Sequence, residues 1–166
     1  QSIMKARLFP ILLFTLAVTT LFGQAQFTNR NDLLAEKDQH SAVPVGIADM
    51  NGDGLDDIVT LNFGSRLFIQ YQTPEPSRPF VRYEVPVTIG NAEQNDICLA
   101  DFNNDGAVDI LAVGSYDEVK VLYSIPYTSS FNLTQIIVIP FFSQGASSGD
   151  FNHVGWVDVV MLKDNG

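Results

Sequence analysis

Three copies of one acidic pattern run along this chain, as ADMNGDGLDDIV over residues 48–59, ADFNNDGAVDIL over residues 100–111 and GDFNHVGWVDVV over residues 149–160. Their leading aspartates stand 52 and then 49 residues apart, at Asp49, Asp101 and Asp150. A period near 50 residues is typical of repeat arrays, in which each repeat is one supersecondary unit. The chain is therefore predicted to be an array of similar units.

The residues around each copy indicate strands. The residues three and one positions before each leading aspartate are small, which indicates a strand face packed closely against a neighbour; they are Gly46 and Ala48, Cys98 and Ala100, and Ser147 and Gly149. Short apolar runs begin after the last aspartate of each copy and are typical of buried strands; they are Ile58–Leu61, Ile110–Val113 and Val159–Leu162.

Two further strands complete each unit. A third strand alternates in register, with Leu67, Ile69 and Tyr71 matching Val119, Val121 and Tyr123. A fourth is predicted over Phe80–Val87 and Leu133–Ile139. Four antiparallel strands in about 50 residues form the blade of a β-propeller. We therefore predict an all-β chain of about two and a half blades, a fragment of a larger propeller, with units at residues 41–90, 91–140 and 141–166.

The first 25 residues are predicted to be a secretory signal peptide, with residues 1–3 upstream of its start at Met4. A basic start, Met4–Arg7, precedes 15 uncharged and mostly apolar residues and the small residues Gly23 and Ala25, which is the pattern of such a signal. The apolar stretch is too short to span a membrane, so we expect no span in the mature form. The predicted location is secreted or in the cell envelope, extracellular or periplasmic, and residues 26–40 are interpreted as a linker.

Composition excludes several classes of function. The 166 residues contain 9 Lys and Arg against 19 Asp and Glu, a net charge of −10, which argues against a nucleic-acid partner because phosphate binding needs a surplus of cations. The single cysteine, Cys98, excludes an intrachain disulfide and a cysteine-based zinc site.

The repeated loops predict calcium sites. In Asp-x-Asn-x-Asp-Gly-x-x-Asp, oxygen-bearing side chains recur every second residue and again four residues later, and Ca²⁺ takes six to eight hard oxygen ligands. The predicted ligands of the first loop are Asp49, Asn51, Asp53, the Leu55 carbonyl and Asp57, and those of the second are Asp101, Asn103, Asp105, the Ala107 carbonyl and Asp109. Gly54 and Gly106 are expected to adopt the positive φ of a sharp turn.

The loops have two other interpretations. An ordinary Asn/Asp/Gly turn stays open, although three carboxylates in one loop repel one another without a cation. An EF-hand or dockerin loop needs a Glu at its twelfth position and flanking helices, whereas Thr60, Ala112 and Met161 stand there and strands flank the loops. Whether the third loop, with Asp150, Asn152 and Asp158, binds metal is left open, and we expect that it does not because Val154 replaces a carboxylate.

The loops and the strand after each of them resemble FG-GAP/VCBS-type repeats, the blades of integrin-α-like β-propellers. The resemblance covers residues 41–166. It implies structural Ca²⁺ in the loops and a secreted protein, as in the many bacterial members. The third loop departs from the pattern, and the Phe-Gly and Gly-Ala-Pro tripeptides are missing at their usual places.

The predicted function is a non-catalytic binding or adhesion scaffold, as in cell adhesion, with an extracellular protein or polysaccharide as its unidentified partner. Two alternatives stay open: a propeller belonging to a secreted polysaccharide-degrading enzyme, and a carbohydrate-binding lectin. No catalytic or organic-cofactor residues separate from the repeat can be identified in the sequence. Gly145–Gly149 matches the Gly-x-Ser-x-Gly nucleophile pattern, but that motif needs a strand–turn–helix context.

Overall fold

The computed structural model describes residues 27–35, 41–62, 66–88, 96–115 and 118–163. Apart from a single 3-10 turn at Asn31–Leu33, the regular elements of these residues are strands. The predicted signal peptide lies outside the described residues, as does the end of the linker, residues 36–40.

Two four-stranded antiparallel sheets confirm the predicted blades. In the first, β1 (Ser41–Ala48), β2 (Asp57–Asn62), β3 (Arg66–Gln72) and β4 (Phe80–Thr88) are neighbours in chain order. The second repeats this order with β5 (Asp96–Ala100), β6 (Asp109–Ser115), β7 (Glu118–Ser124) and β8 (Phe131–Val138). A third sheet contains β9 (Ser143–Gly149) and β10 (Asp158–Lys163). The two predicted fourth strands are therefore present as β4 and β8, and their ends lie within one or two residues of the predicted ones.

Apolar residues bury the faces between successive sheets. Between the first and second sheets, Val59 and Leu61 of β2 belong to one cluster with Ile97 and Ile110 of the second sheet. Between the second and third, Leu111 and Val113 of β6 belong to another, against which Ala146, Val159 and Met161 pack. Since the side chains of a strand alternate between two faces, β6 contributes to both interfaces, with Ile110 and Ala112 on one face and Leu111 and Val113 on the other.

Gly46 lies where the inner strands of two neighbouring blades approach each other, as the small residues at this position of the repeat predicted. A Cβ atom placed on Gly46 of β1 would lie 2.5 Å from Cδ1 and 2.9 Å from Cγ of Leu99 in β5. The lack of a side chain at this position therefore sets how closely the first two blades pack.

The linker contacts the first blade. The backbone N–H of Ala35 donates to Oε1 of Gln70 at 2.9 Å, and the Gln70 side chain on β3 is fully buried. In the second blade the same position holds Leu122, which is buried in the interface with the first blade. The first blade thus has the polar residue Gln70 where the second blade has Leu122, and the linker amide of Ala35 is the hydrogen-bond partner of Gln70.

Candidate metal centre

The three acidic loops share one backbone shape. They span residues 49–56, 101–108 and 150–157 and are called loop 1, loop 2 and loop 3, with positions counted from the leading aspartate. The glycine at position 6 has a φ of 85° in Gly54, 89° in Gly106 and 86° in Gly155, which confirms the predicted turn for Gly54 and Gly106. Position 4 is also left-handed, with φ values of 77° at Gly52, 58° at Asn104 and 59° at His153. The pattern did not signal this second left-handed residue.

The leading aspartate organises its loop by accepting backbone hydrogen bonds. Oδ1 of Asp49 accepts from the N–H groups of Gly52 at 2.8 Å and Asp53 at 3.1 Å, and Oδ2 accepts from Gly54 at 2.8 Å. Asp101 and Asp150 make the matching bonds to the N–H groups of positions 5 and 6. In all three loops the leading carboxylate therefore accepts hydrogen bonds from backbone N–H groups that converge on it.

Positions 3 and 5 are linked to each other in loops 1 and 2. Oδ1 of Asn51 accepts from the Asp53 N–H at 2.9 Å, and its amide donates to Oδ2 of Asp53 at 3.0 Å. Oδ1 of Asp53 accepts from the Leu55 N–H at 2.8 Å. Loop 2 repeats these bonds with Asn103, Asp105 and Ala107. Side-chain oxygens of positions 1, 3 and 5 are thus gathered around one short turn of backbone.

The aspartate at position 9 faces the protein interior. Asp57 and Asp109 have no exposed surface. Oδ2 of Asp57 accepts from the Met50 N–H at 2.9 Å, and Oδ1 accepts from the Gln72 N–H at 2.8 Å. The bonds of Asp109, from Phe102 and Ser124, have the same lengths.

Burial raises the pKa of the Asp57 and Asp109 carboxyls above their ordinary value because it disfavours the charged form. The backbone hydrogen bonds that each accepts oppose this shift. The charges of the position 1 and position 5 aspartates add to it. The carboxylates at positions 1, 5 and 9 therefore repel one another electrostatically in each of the first two repeats.

Loop 3 keeps the shape and loses part of the donor set. Val154 stands at position 5, and its N–H still donates to Asp150 and Asn152. The amide of Asn152 is instead directed at Asp158, with a long N–O distance of 3.5 Å. Asp158 is partly exposed, unlike its counterparts Asp57 and Asp109.

The donor chemistry of loops 1 and 2 fits a hard cation, since carboxylate, amide and carbonyl oxygens are the ligands that Ca²⁺ takes. Among the described residues, however, no three His, Cys, Asp or Glu side chains form a group that could hold a metal ion. The ligand set predicted from the sequence therefore stays a prediction.

The loops also contact their neighbours in adjacent blades. The Asn104 side chain donates to the Gly155 carbonyl at 3.1 Å, which joins loops 2 and 3. Between loops 1 and 2 lies a cavity of about 30 Å³, bordered by Gly52, Gly106 and Tyr127 among others. Tyr127 belongs to the turn between β7 and β8, has a φ of 59° and is 89% exposed. The spacing of the repeat offers no signal for a role of Tyr127.

Other candidates from the sequence are placed as follows. Gly145–Gly149 lies within β9, which is not the strand–turn–helix context of a nucleophile. Cys98 is buried, and burial raises the pKa of its thiol, as expected for a small core residue. No helix among the described residues is long and apolar enough to cross a membrane.

Repeated four-stranded antiparallel sheets with equivalent acidic loops define this protein as an array of β-propeller-type blades. Residues 49–112, from loop 1 into β6, match the family model of an FG-GAP-like repeat. This match supports the resemblance to FG-GAP-type repeats that the loops predicted. None of the curated proteins compared with the chain matches it.

Proposed function

We propose that this chain is a calcium-stabilised propeller module that acts outside the cytoplasm as a non-catalytic binding scaffold. The observation that carries the calcium assignment is the shared arrangement of loops 1 and 2. In both, Asp at position 1, Asn at position 3 and Asp at position 5 are joined by the same hydrogen bonds. Two loops of one chain thus present the same oxygen donors at the same spacing.

Electrostatics supports a cation at these loops. The ion pairs among the described residues lie outside the loops, at Arg30–Asp32, Arg66–Glu84 and Lys120–Glu118. The loop carboxylates therefore repel one another within a chain of net charge −10. A divalent cation bound by Asp49, Asn51, Asp53, the Leu55 carbonyl and Asp57, and by their counterparts in loop 2, would relieve this repulsion and hold the turn that joins two strands.

Calorimetric titration of the full chain with CaCl₂ tests the assignment. We expect two sites, with dissociation constants of about 10⁻⁵ to 10⁻³ M, the range of sensor and extracellular modules. Asp53→Ala and Asp105→Ala should each remove one site, because each loses a position 5 carboxylate. Val154→Asp should add a third site, because it restores that carboxylate in a loop that already has the required shape.

Thermal denaturation provides an independent readout. A ligand that binds only the folded state stabilises it by about 2.7 kcal/mol at a hundredfold excess over its dissociation constant. Chelation should therefore lower the melting temperature of the calcium-loaded protein. An unchanged melting temperature, together with no heat of binding, would contradict the calcium assignment.

Export is supported by the sequence pattern of residues 1–25. Bacterial expression from Met4 and N-terminal sequencing of the product should show cleavage near Ala25, and an uncleaved product would contradict export. An extracellular protein or polysaccharide is the class of partner that such a location implies. Glycan-array binding separates a polysaccharide from a protein partner.

A further inference from the structure

We propose that two copies of this chain associate through β8, the outer strand of the second blade, and that the two β8 strands pair antiparallel about a two-fold axis. The contact uses the stretch Gln135–Val138, which is called the β8 edge. This inference goes beyond the proposed function, and it does not depend on whether calcium binds.

The β8 edge has the backbone geometry that a further strand requires. β8 is the outermost strand of its sheet and pairs with β7 alone among the described residues. An outermost strand directs alternate N–H and C=O groups away from its sheet, where another strand can bond to them. The pairing of Gln135–Val138 with β7 is regular. No bulge therefore turns these groups away from an approaching strand.

Apolar side chains of the β8 edge are exposed on the face that is directed at the first blade. Ile136 is 54% exposed and Val138 is 76% exposed. They stand opposite Lys120 and Glu118 of β7, on the strand face that also includes Leu122. Leu122 is buried against the first blade, which has all four of its strands. The exposure of this face therefore does not reflect a missing strand in the neighbouring sheet.

The outer strand of the first blade has features that oppose edge pairing. Three alternate exposed positions of β4 hold Arg82, Glu84 and Pro86, and the pairing of β4 with β3 is irregular beyond Glu84. Charged side chains, proline and bulges are the means by which edge strands avoid pairing with other chains. The residues at the equivalent register positions of β8 are uncharged, namely Thr134, Ile136 and Val138.

The distribution of charge favours a second copy of the chain as the partner. No Asp, Glu, Lys or Arg lies between Lys120 and Asp150, although the net charge of the chain is −10. Two copies repel each other through their net charge, and this repulsion is weakest where an uncharged stretch faces its own copy. A basic partner would find no carboxylate on the β8 edge. The edge is therefore suited to a copy of itself.

A two-fold axis perpendicular to the sheet makes the contact self-complementary, because each copy contributes the same residues. Since side chains alternate along a strand, Ile136 and Val138 of both copies then lie on one face of the joined sheet. No like charges stand opposite each other between the two β8 strands, an arrangement that would be destabilising. The two four-stranded sheets become one continuous sheet across the dimer.

Sedimentation equilibrium of the full chain at physiological ionic strength, where long-range repulsion is screened, tests the proposal. The parent should show a concentration-dependent equilibrium between monomer and dimer. Ile136→Glu introduces the residue type that the first blade has at this position. It should raise the dimer dissociation constant by about tenfold or more, because it places like charges together in an apolar contact. Ile136→Val keeps a β-branched apolar side chain and should leave the dissociation constant unchanged.

Ile47→Glu is the matched control. It adds the same charge at another exposed apolar side chain, on β1 of the first blade, and should leave the dissociation constant unchanged. The proposal is overturned if Ile136→Glu associates as tightly as the parent, or if Ile47→Glu weakens association more than Ile136→Glu does. A parent that stays monomeric at every concentration also overturns it, and is the result expected if β8 receives a strand of a different protein.

Hydrogen exchange of the parent keeps the proposal testable if Ile136→Glu does not fold. The amide protons of the β8 edge that point away from β7 should become protected as the protein concentration rises through the dimer dissociation constant. The amide protons of the same stretch that point towards β7 should be protected at every concentration. Rapid exchange of the outward amides in the associated protein would show that association uses another surface, which would overturn the proposal.

Discussion

Gly54 shows how one residue type determines the shape of the loop. Its φ of 85° lies in the left-handed region, where an L-residue with a side chain costs roughly 1–2 kcal/mol. A Cβ atom on Gly54 would meet no atom within 4 Å. The requirement for glycine is therefore one of backbone conformation and not of space.

A substitution series at Gly54 tests this distinction. Gly54→Ala should reduce the free energy of unfolding by about 1 kcal/mol, whereas Gly54→Asn should cost less because asparagine tolerates positive φ. The matched control is Gly145→Ala, where the added Cβ would lie 3.7 Å from Leu162, an ordinary contact. Urea denaturation measures all three, and equal effects of Ala and Asn at position 54 would contradict the conformational explanation.

Strands β1 and β5 show that the packing of neighbouring elements depends on a single small residue. Leu99 of β5 fills the space that a side chain at Gly46 of β1 would need. At the same position of β9 the chain has Ser147, which is exposed. Gly46 is therefore constrained by the sheet beside it, whereas no further sheet is described beside Ser147.

Gly46→Ala and Ser147→Ala form a matched pair at this position. The Gly46 variant should lose about 1–3 kcal/mol of stability, because the added methyl group forces Leu99 or the strand to move. The Ser147 variant should change stability by less than about 0.5 kcal/mol, because the site is exposed. Chemical denaturation of both proteins is the measurement. A neutral Gly46→Ala would show that Leu99 rotates away without cost.

Across the whole molecule, successive sheets bury one another's faces. Leu61 of β2 is 1% exposed in the interface between the first and second sheets, whereas its repeat equivalent on β10, Leu162, is 68% exposed. Leu61 is thus covered by the second sheet, whereas no sheet beyond β10 is among the described residues.

Leu61→Ala and Leu162→Ala measure the contribution of the packing between blades. Truncation of Leu61 should cost about 2–5 kcal/mol, the usual range for a buried leucine. Truncation of Leu162 should cost less than about 0.5 kcal/mol. Thermal denaturation of the full chain checks both, and similar losses would show that Leu162 is buried in solution by a contact outside the described residues.

Much of the blade could be predicted without coordinates. Alternating side chains mark the strands, and Gly54 and Gly106 mark the turns, because strand periodicity and turn conformation depend on residues close together in the chain. The order of strands within each sheet followed from the short connections between them. The repeat itself, with leading aspartates 52 and 49 residues apart, identified which residues occupy equivalent places.

The contacts that join distant residues required the tertiary structure. The loop pattern presents Asp57 as one of four equivalent oxygen donors, and only the position of Gln72, fifteen residues later, turns it inward. Two further contacts likewise depend on how the blades and the linker pack: Tyr127 lies beside Gly52, and the Ala35 amide donates to Gln70. Periodicity defines which face of a strand a side chain occupies. The residue that it contacts on that face comes from a distant part of the chain, and no local sequence pattern specifies where that part lies.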